Sequence, residues 1–186
     1  MNLKTFAQQA RNILLNGVTQ KLHYWGFETN NTITNQPQAI PGGYTFRGNI
    51  YDNLNVVALW NELKKAIAQN GFETIAEEAA YTWFNRIIAL HILAKNNYEQ
   101  NLLENAPGMF HTPIILQKAR QGYYPYLDKN EQAKLLLILN DYSKDEEIFS
   151  QLFIAYCRKH LLIQNIFGQP NDYTELLLPN NMLLDT

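Results

Sequence analysis

Four histidines, one cysteine, a run of three acids and a tyrosine cluster are the residues of this chain whose types could do chemistry. His23, His91, His111 and His160 show no H-x-x-x-H or H-E-x-x-H spacing, so no two of them share the helix face from which zinc is held. Cys157 has no second cysteine with which to form a disulfide or a zinc site. Its neighbours Arg158 and His160 would lower a thiol pKa. Cys157 also shares a helical arc with Phe153, Ile154 and Leu161, and a small core residue is the favoured reading. Asp145, Glu146 and Glu147 read as a first-turn charge set stabilised by the helix dipole. Tyr123, Tyr124 and Tyr126 could stack on bases, but tyrosines in a turn more often cover a core edge.

Five cations are the candidate contacts to DNA or a partner: Arg86, Lys118, Arg120, Arg158 and Lys159. Arg86 falls at the edge of a narrow polar arc, with Glu78, Thr82, Asn85 and Asn96, on a helix that is otherwise apolar. A guanidinium held there needs a partner, and a structural ion pair with Glu78 is favoured over a ligand contact. Lys118 and Arg120 end one helix, and Arg158 and Lys159 lie late in another. Helix C-termini repel phosphate, which favours dipole-complementing charges over DNA contacts at these four positions. The 15 basic and 17 acidic residues leave a net charge of -2, so no global field draws the chain onto a polyanion and any nucleic-acid contact is local.

Nucleotide-dependent catalysis needs glycine-rich turns, and the nine glycines include no G-x-G and no P-loop. The seven prolines include no Pro-Pro pair, so the Asn/Asp-Pro-Pro-aromatic element that holds an extruded base amine is missing too. The chain alone carries no catalytic, cofactor-binding or metal-binding motif.

The elements that must position these side chains are helices, and the fold class expected is mainly α: a single domain of about five to seven helices with a short extended segment near residues 44–51. Apolar residues recur from Leu3 to Trp25 at steps of three and four, and Gly26 is the stop. Thr29 to Gly43 reads as a surface loop. Asn53 caps a helix to Asn70, ended by Gly71. Thr74 with Glu77 forms a capping box that opens a helix from Ile75 to Lys95. Its apolar arc is wide, with Trp83, Phe84, Ile87 and Leu90 in the core. Thr112 and Pro113 open a short helix to Arg120, which Gly122 ends. Asp128 with Glu131, and Ser143 with Glu146, are two more capping boxes, starting helices to Asn140 and from Ile148 to Ile166 with Gly168 as terminator. The tail makes one turn over Tyr173–Leu178. Its string LLLPNNMLL is too apolar for a free end, which suggests that a following domain covers it. No segment reads as a signal peptide or a membrane span, and the single cysteine suits a reducing cytoplasm.

The string EEAAYTWFNRIIALHILAKNNY, from Glu77 to Tyr98, resembles the signature helix of PglX-type adenine-specific DNA methyltransferases of bacterial BREX phage-exclusion systems. There an E-x-x-A-Y-T-W-F-N-R stretch is followed by an apolar run and an N-x-Y ending. LKTFAQQAR, FRGNIYDN at Phe46 to Asn53 and NDYTELLLPNNML at Asn171 to Leu183 are similar to flanking elements of the family in the same order; Glu99 to Gln169 is the least matched stretch. His91 departs from the family's arginine. The resemblance implies that residues 1–186 are the non-catalytic N-terminal helical domain of a longer enzyme. That enzyme would transfer a methyl group from S-adenosylmethionine to adenine N6 in double-stranded DNA, in phage defence. The implied partners are the parent's catalytic domain, DNA, and other BREX subunits or a phage inhibitor. The alternative is a stand-alone interaction module docking another defence-system subunit.

Overall fold

A computed structural model describes residues 3–51, 54–167, 172–180 and 182–183. Their seven α-helices and one small sheet bear out the mainly α expectation. The chain divides into two compact units, residues 1–84 with 171–179, and residues 85–170 with 180–186.

The first unit is organised by aromatic side chains. Helix α1 (Leu3–Tyr24) buries Leu14, Val18 and Leu22, one stripe at helical spacing. It ends as expected at Gly26, whose φ of +88° lets the Gly26 and Phe27 amides return to His23 and Leu22 as a Schellman motif. The stretch read as loop and extended segment forms an antiparallel meander, β1 (Gln38–Ile40), β2 (Gly43–Phe46) and β3 (Asn49–Tyr51), in the order β1-β2-β3. Ala39 faces Tyr44, and Thr45 faces Ile50. This register buries Phe46 against Trp25, with ring centroids 5.0 Å apart.

Helix α2 (Leu54–Asn70) follows; the cap expected at Asn53 lies outside the described residues. Three indoles then tie the unit together. Trp60 Nε1 donates to the Trp25 carbonyl at 2.9 Å, Trp25 Nε1 to that of Leu176 at 2.9 Å, and Trp83 Nε1 to that of Thr174 at 3.1 Å. The two carbonyls from the tail belong to a 3-10 turn, Tyr173–Leu177. Each indole thus buries a large apolar body while its one polar atom stays paired.

Helix α3 (Phe72–Lys95) starts three residues earlier than expected, so Thr74 lies inside it and is no cap. Asn31, distant in sequence and left-handed at φ 62°, supplies the cap, its Oδ1 accepting from the Phe72 amide at 2.9 Å. Trp83 and Leu90 are buried as expected, whereas Phe84 and Ile87 are half-buried and Tyr81 and Ile92 are exposed. The stripe that is covered runs through Ile75, Ala76, Ala79, Ala80, Trp83, Arg86 and Leu90.

In the second unit, α6 (Asp145–Lys159) buries Ile148, Phe149, Leu152, Phe153, Tyr156 and Cys157 and packs against α4 (Ile114–Arg120), α5 (Lys129–Ile138) and α7 (Leu161–Phe167). Pro113 itself is the N-cap of α4, one residue beyond Thr112. The Asp128–Glu131 capping box is present in full: Asp128 accepts from the Asn130 and Glu131 amides, and Glu131 accepts from the Asp128 amide. The second capping box is not. Asp141 accepts from Ser143 and turns the chain through a 3-10 turn, Tyr142–Lys144, while Glu146 accepts from the Leu183 amide at 2.9 Å. The long last helix breaks at His160, where ψ is 104°. Leu161, expected on the arc of Cys157, is therefore 73% exposed, although Cys157 is buried as expected. Gly168 lies outside the described residues. Of the described residues of the apolar tail, Leu177 and Leu178, which belong to the first unit, and Met182 and Leu183, which belong to the second, are buried.

Candidate functional site

Among the described residues no group of three or more His, Cys, Asp or Glu is placed to hold a metal ion. No helix described is long and apolar enough to cross a membrane. The histidines fill separate local roles: His23 pairs with Glu28 at 3.0 Å, His111 Nδ1 meets the Leu183 carbonyl at 2.8 Å, His91 lines a small cavity, and His160 ends α6.

Of the five candidate cations, Arg86 is 0% exposed, on the buried stripe of α3 rather than on its polar edge. The other four divide into two pairs. Arg120 is bound to Asp145 and lies 4.0 Å from the Tyr142 ring, and Arg158 is bound to Glu131 at 2.7 Å. Each guanidinium thus has its charge matched by a carboxylate in a half-buried setting, and Glu131 serves both the α5 capping box and Arg158.

Lys118 and Lys159 have no carboxylate partner among the described residues, and they line one groove of about 540 Å³. Gly122, at φ +85°, ends α4 and turns the chain back so that the Tyr123 amide reaches the Lys118 carbonyl at 2.9 Å. That turn sets the Lys118 ammonium 5.1 Å from the Tyr123 ring centroid, a cation–π distance. Lys118 also donates to Gln100 Oε1. Tyr123 keeps 53% of its surface exposed, Tyr124 is half-buried, and Tyr126 stands edge-on to Tyr156 at 4.9 Å.

The break at His160 completes the wall. The Gln164 amide donates to the His160 carbonyl, and the Ile163 amide approaches His160 Nδ1 at 3.4 Å. With Nδ1 accepting, the ring proton of the neutral tautomer lies on Nε2, which faces Glu99 Oε1 at 3.2 Å. Burial pushes the Tyr126 hydroxyl up to about 12, with Tyr123 and Glu99 adding to it. Burial also raises Tyr156, helped by Glu99, Tyr126 and Cys157. Both hydroxyls therefore stay protonated through the neutral range and are available as donors. Sequence reasoning singled out Lys118, Lys159 and the tyrosine turn, placed His160 only beside Cys157, and missed Glu99, Gln100 and Tyr156; the break after Lys159 adds Leu161 and Leu162 to the same groove.

Fold and groove together define a mainly helical module with an aromatic, lysine-edged groove. No family model matches the chain. The chain is similar to the adenine-specific methyltransferase BrxX of Escherichia coli O9:H4 (strain HS), 28% identical over 189 residues that cover 97% of this chain. This bears out the resemblance to PglX-type methyltransferases carried by Glu77–Tyr98. The chain spans 15% of the length of that relative.

Proposed function

We propose that the chain is the non-catalytic N-terminal helical domain of a SAM-dependent adenine-N6 DNA methyltransferase acting in phage defence, where it supports the catalytic domain and offers a surface to DNA or a partner. The observation that carries this reading is the likeness to BrxX along 97% of this chain but only 15% of that enzyme. The residues present do not fit S-adenosylmethionine. The three strands are joined by two-residue turns at Pro41–Gly42 and Arg47–Gly48, and none runs through a glycine-rich turn into a helix. No catalytic step is therefore assigned to this chain. Titration calorimetry with S-adenosylmethionine is expected to show no saturable heat, and saturable micromolar binding would overturn the non-catalytic assignment. Sequencing the gene downstream should reveal an Asn/Asp-Pro-Pro-aromatic element, and a frame without one would remove the parent enzyme.

A second reading, an interaction module that docks another defence-system subunit or a phage inhibitor, is favoured by exposed apolar side chains. Phe110 is 88% and Leu137 85% exposed. Side chains of that size left in water are the usual anchors of protein interfaces.

A further inference from the structure

The open groove edged by Lys118 and Lys159 brings aromatic, apolar and cationic side chains together. Its lining alternates apolar and aromatic surface from Tyr123, Leu161 and Leu162 with the two lysines and the Gln100 amide. Its volume of about 540 Å³ lies within the range of pockets that hold small organic ligands, ~300 to 1,000 Å³. Tyr123 and Leu161 are 53% and 73% exposed, so Tyr123 keeps ring surface free beside the Lys118 ammonium. An aromatic ring beside cationic side chains in one groove suits a base and its phosphate together.

We propose that this groove binds a nucleotide, with the base stacked on the exposed surface of Tyr123 and the phosphate held by Lys118 and Lys159. The site rests on the groove's own geometry and does not depend on the relation to a methyltransferase. Duplex DNA is a poor occupant. A protein held by a duplex typically neutralises about 6 to 10 phosphates, whereas this groove offers two unmatched lysines on a chain of net charge -2. Arg120 and Arg158, which would extend the basic surface, are matched by Asp145 and Glu131. An acidic peptide would satisfy the lysines but leave the Tyr123 ring without a flat partner. Glu99 is the opposing charge in the lining, and its proximity to His160 Nε2, 3.2 Å, turns one carboxylate oxygen toward the imidazole. Gln100 accepts from Lys118 and so keeps its amide N–H group free to read a base edge.

The test uses the intact 186-residue chain and two probes of the same chemistry: thymidine monophosphate, and a fluorescent oligothymidine about twelve nucleotides long, within the span one small module covers. Saturable binding of either probe supports the site, and the arm that binds distinguishes a free nucleotide from one within a strand. Tyr123→Leu is expected to weaken binding about five-fold or more, while Tyr123→Phe retains it. Each lysine removed should lower the salt slope for the oligonucleotide by ~0.7. Lys159→Ala alone, at an exposed position, keeps this readout should the double variant with Lys118→Ala lose its helical circular dichroism. Glu99→Gln should tighten binding. Inorganic phosphate competing as well as thymidine monophosphate, an acidic peptide or a DNA duplex binding more tightly than the single strand, unchanged affinity in Tyr123→Leu, or no saturable binding of either probe would each overturn the proposal.

Discussion

The two units use aromatic residues in opposite ways. In the first, the tryptophans and most phenylalanines are sunk, with Tyr81 the exposed exception: Trp25, Phe27, Phe46, Trp60, Phe72 and Trp83 are all buried, and each indole N–H is donated to a backbone carbonyl. In the second, Tyr123 and Phe110 are exposed, and Tyr126 lies half-buried beside lysines. The phenylalanines of its core, Phe149 and Phe153, stack on α6 at 5.6 Å. Burying a ring gains roughly 25 cal/mol per Å² removed from water, so a unit that sinks its rings is built for stability. A unit that leaves rings and ammonium groups in solvent forgoes that gain and keeps surface for a ligand.

Trp83→Ala is the harshest test of that contrast. The indole is 0% exposed and its removal leaves the Thr174 carbonyl, 91 residues away, without its donor. A loss of about 3 to 5 kcal/mol is expected, combining lost transfer energy with the cavity. Urea unfolding followed by tryptophan fluorescence measures it. A cost below that of an ordinary surface change would mean the first unit is not held by its indoles.

The second test is pH. A tyrosine held neutral by burial keeps its proton in the folded chain where the unfolded chain releases it, at about pH 10. With Tyr126 pushed up to about 12, its contribution is fully present below about pH 10 and is lost as pH rises through about 12. Tyr156 acts in the same direction. Urea midpoints should therefore fall steeply on the alkaline side, and Tyr126→Phe should flatten the fall. An unchanged alkaline slope in that variant would show that the tyrosines of the second unit are not desolvated, and would sharpen the difference between the units further.

Most of the first unit was legible because its signals are local or periodic. The stripe Leu14, Val18, Leu22 and the stop at Gly26 follow from helical spacing and one positive φ. The cap on α3 was not legible, since Asn31 lies 41 residues before the amide it serves and only tertiary structure joins them. Arg86 was misplaced for a related reason. Its type argued for the polar edge of the helix, but its position, three residues from Trp83, puts it on the covered stripe. Part of the groove depends on the break at His160, which the apolar run Leu161, Leu162, Ile163 conceals because it continues the helical period across the interruption. The break is what adds Leu161 and Leu162 to a lining otherwise supplied by the loop after α3, the α4 turn and the end of α6.

The smallest expected effect separates two sites that look alike in sequence. Asp128 with Glu131 and Ser143 with Glu146 share the spacing of a capping box, yet only the first is one. Asp128 accepts from two amides and Glu131 returns a bond to the Asp128 amide at 2.8 Å. Ser143 is pre-empted by Asp141, two residues earlier, which accepts from both the Ser143 amide at 2.9 Å and its hydroxyl at 2.6 Å. Those bonds, the side-chain one first, hold the Asp141 carboxyl below its ordinary range and leave Ser143 Oγ as a donor rather than a cap. Asp128→Ala should therefore cost about 1 kcal/mol, the usual loss for a cap, whereas Ser143→Ala should stay within about 0.5 kcal/mol of the parent, as exposed substitutions do. Equal costs in denaturant unfolding would mean that Ser143 caps α6 after all. The 3-10 turn at Tyr142–Lys144 would then not be the entry to the helix that carries Tyr156, Lys159 and the break at His160.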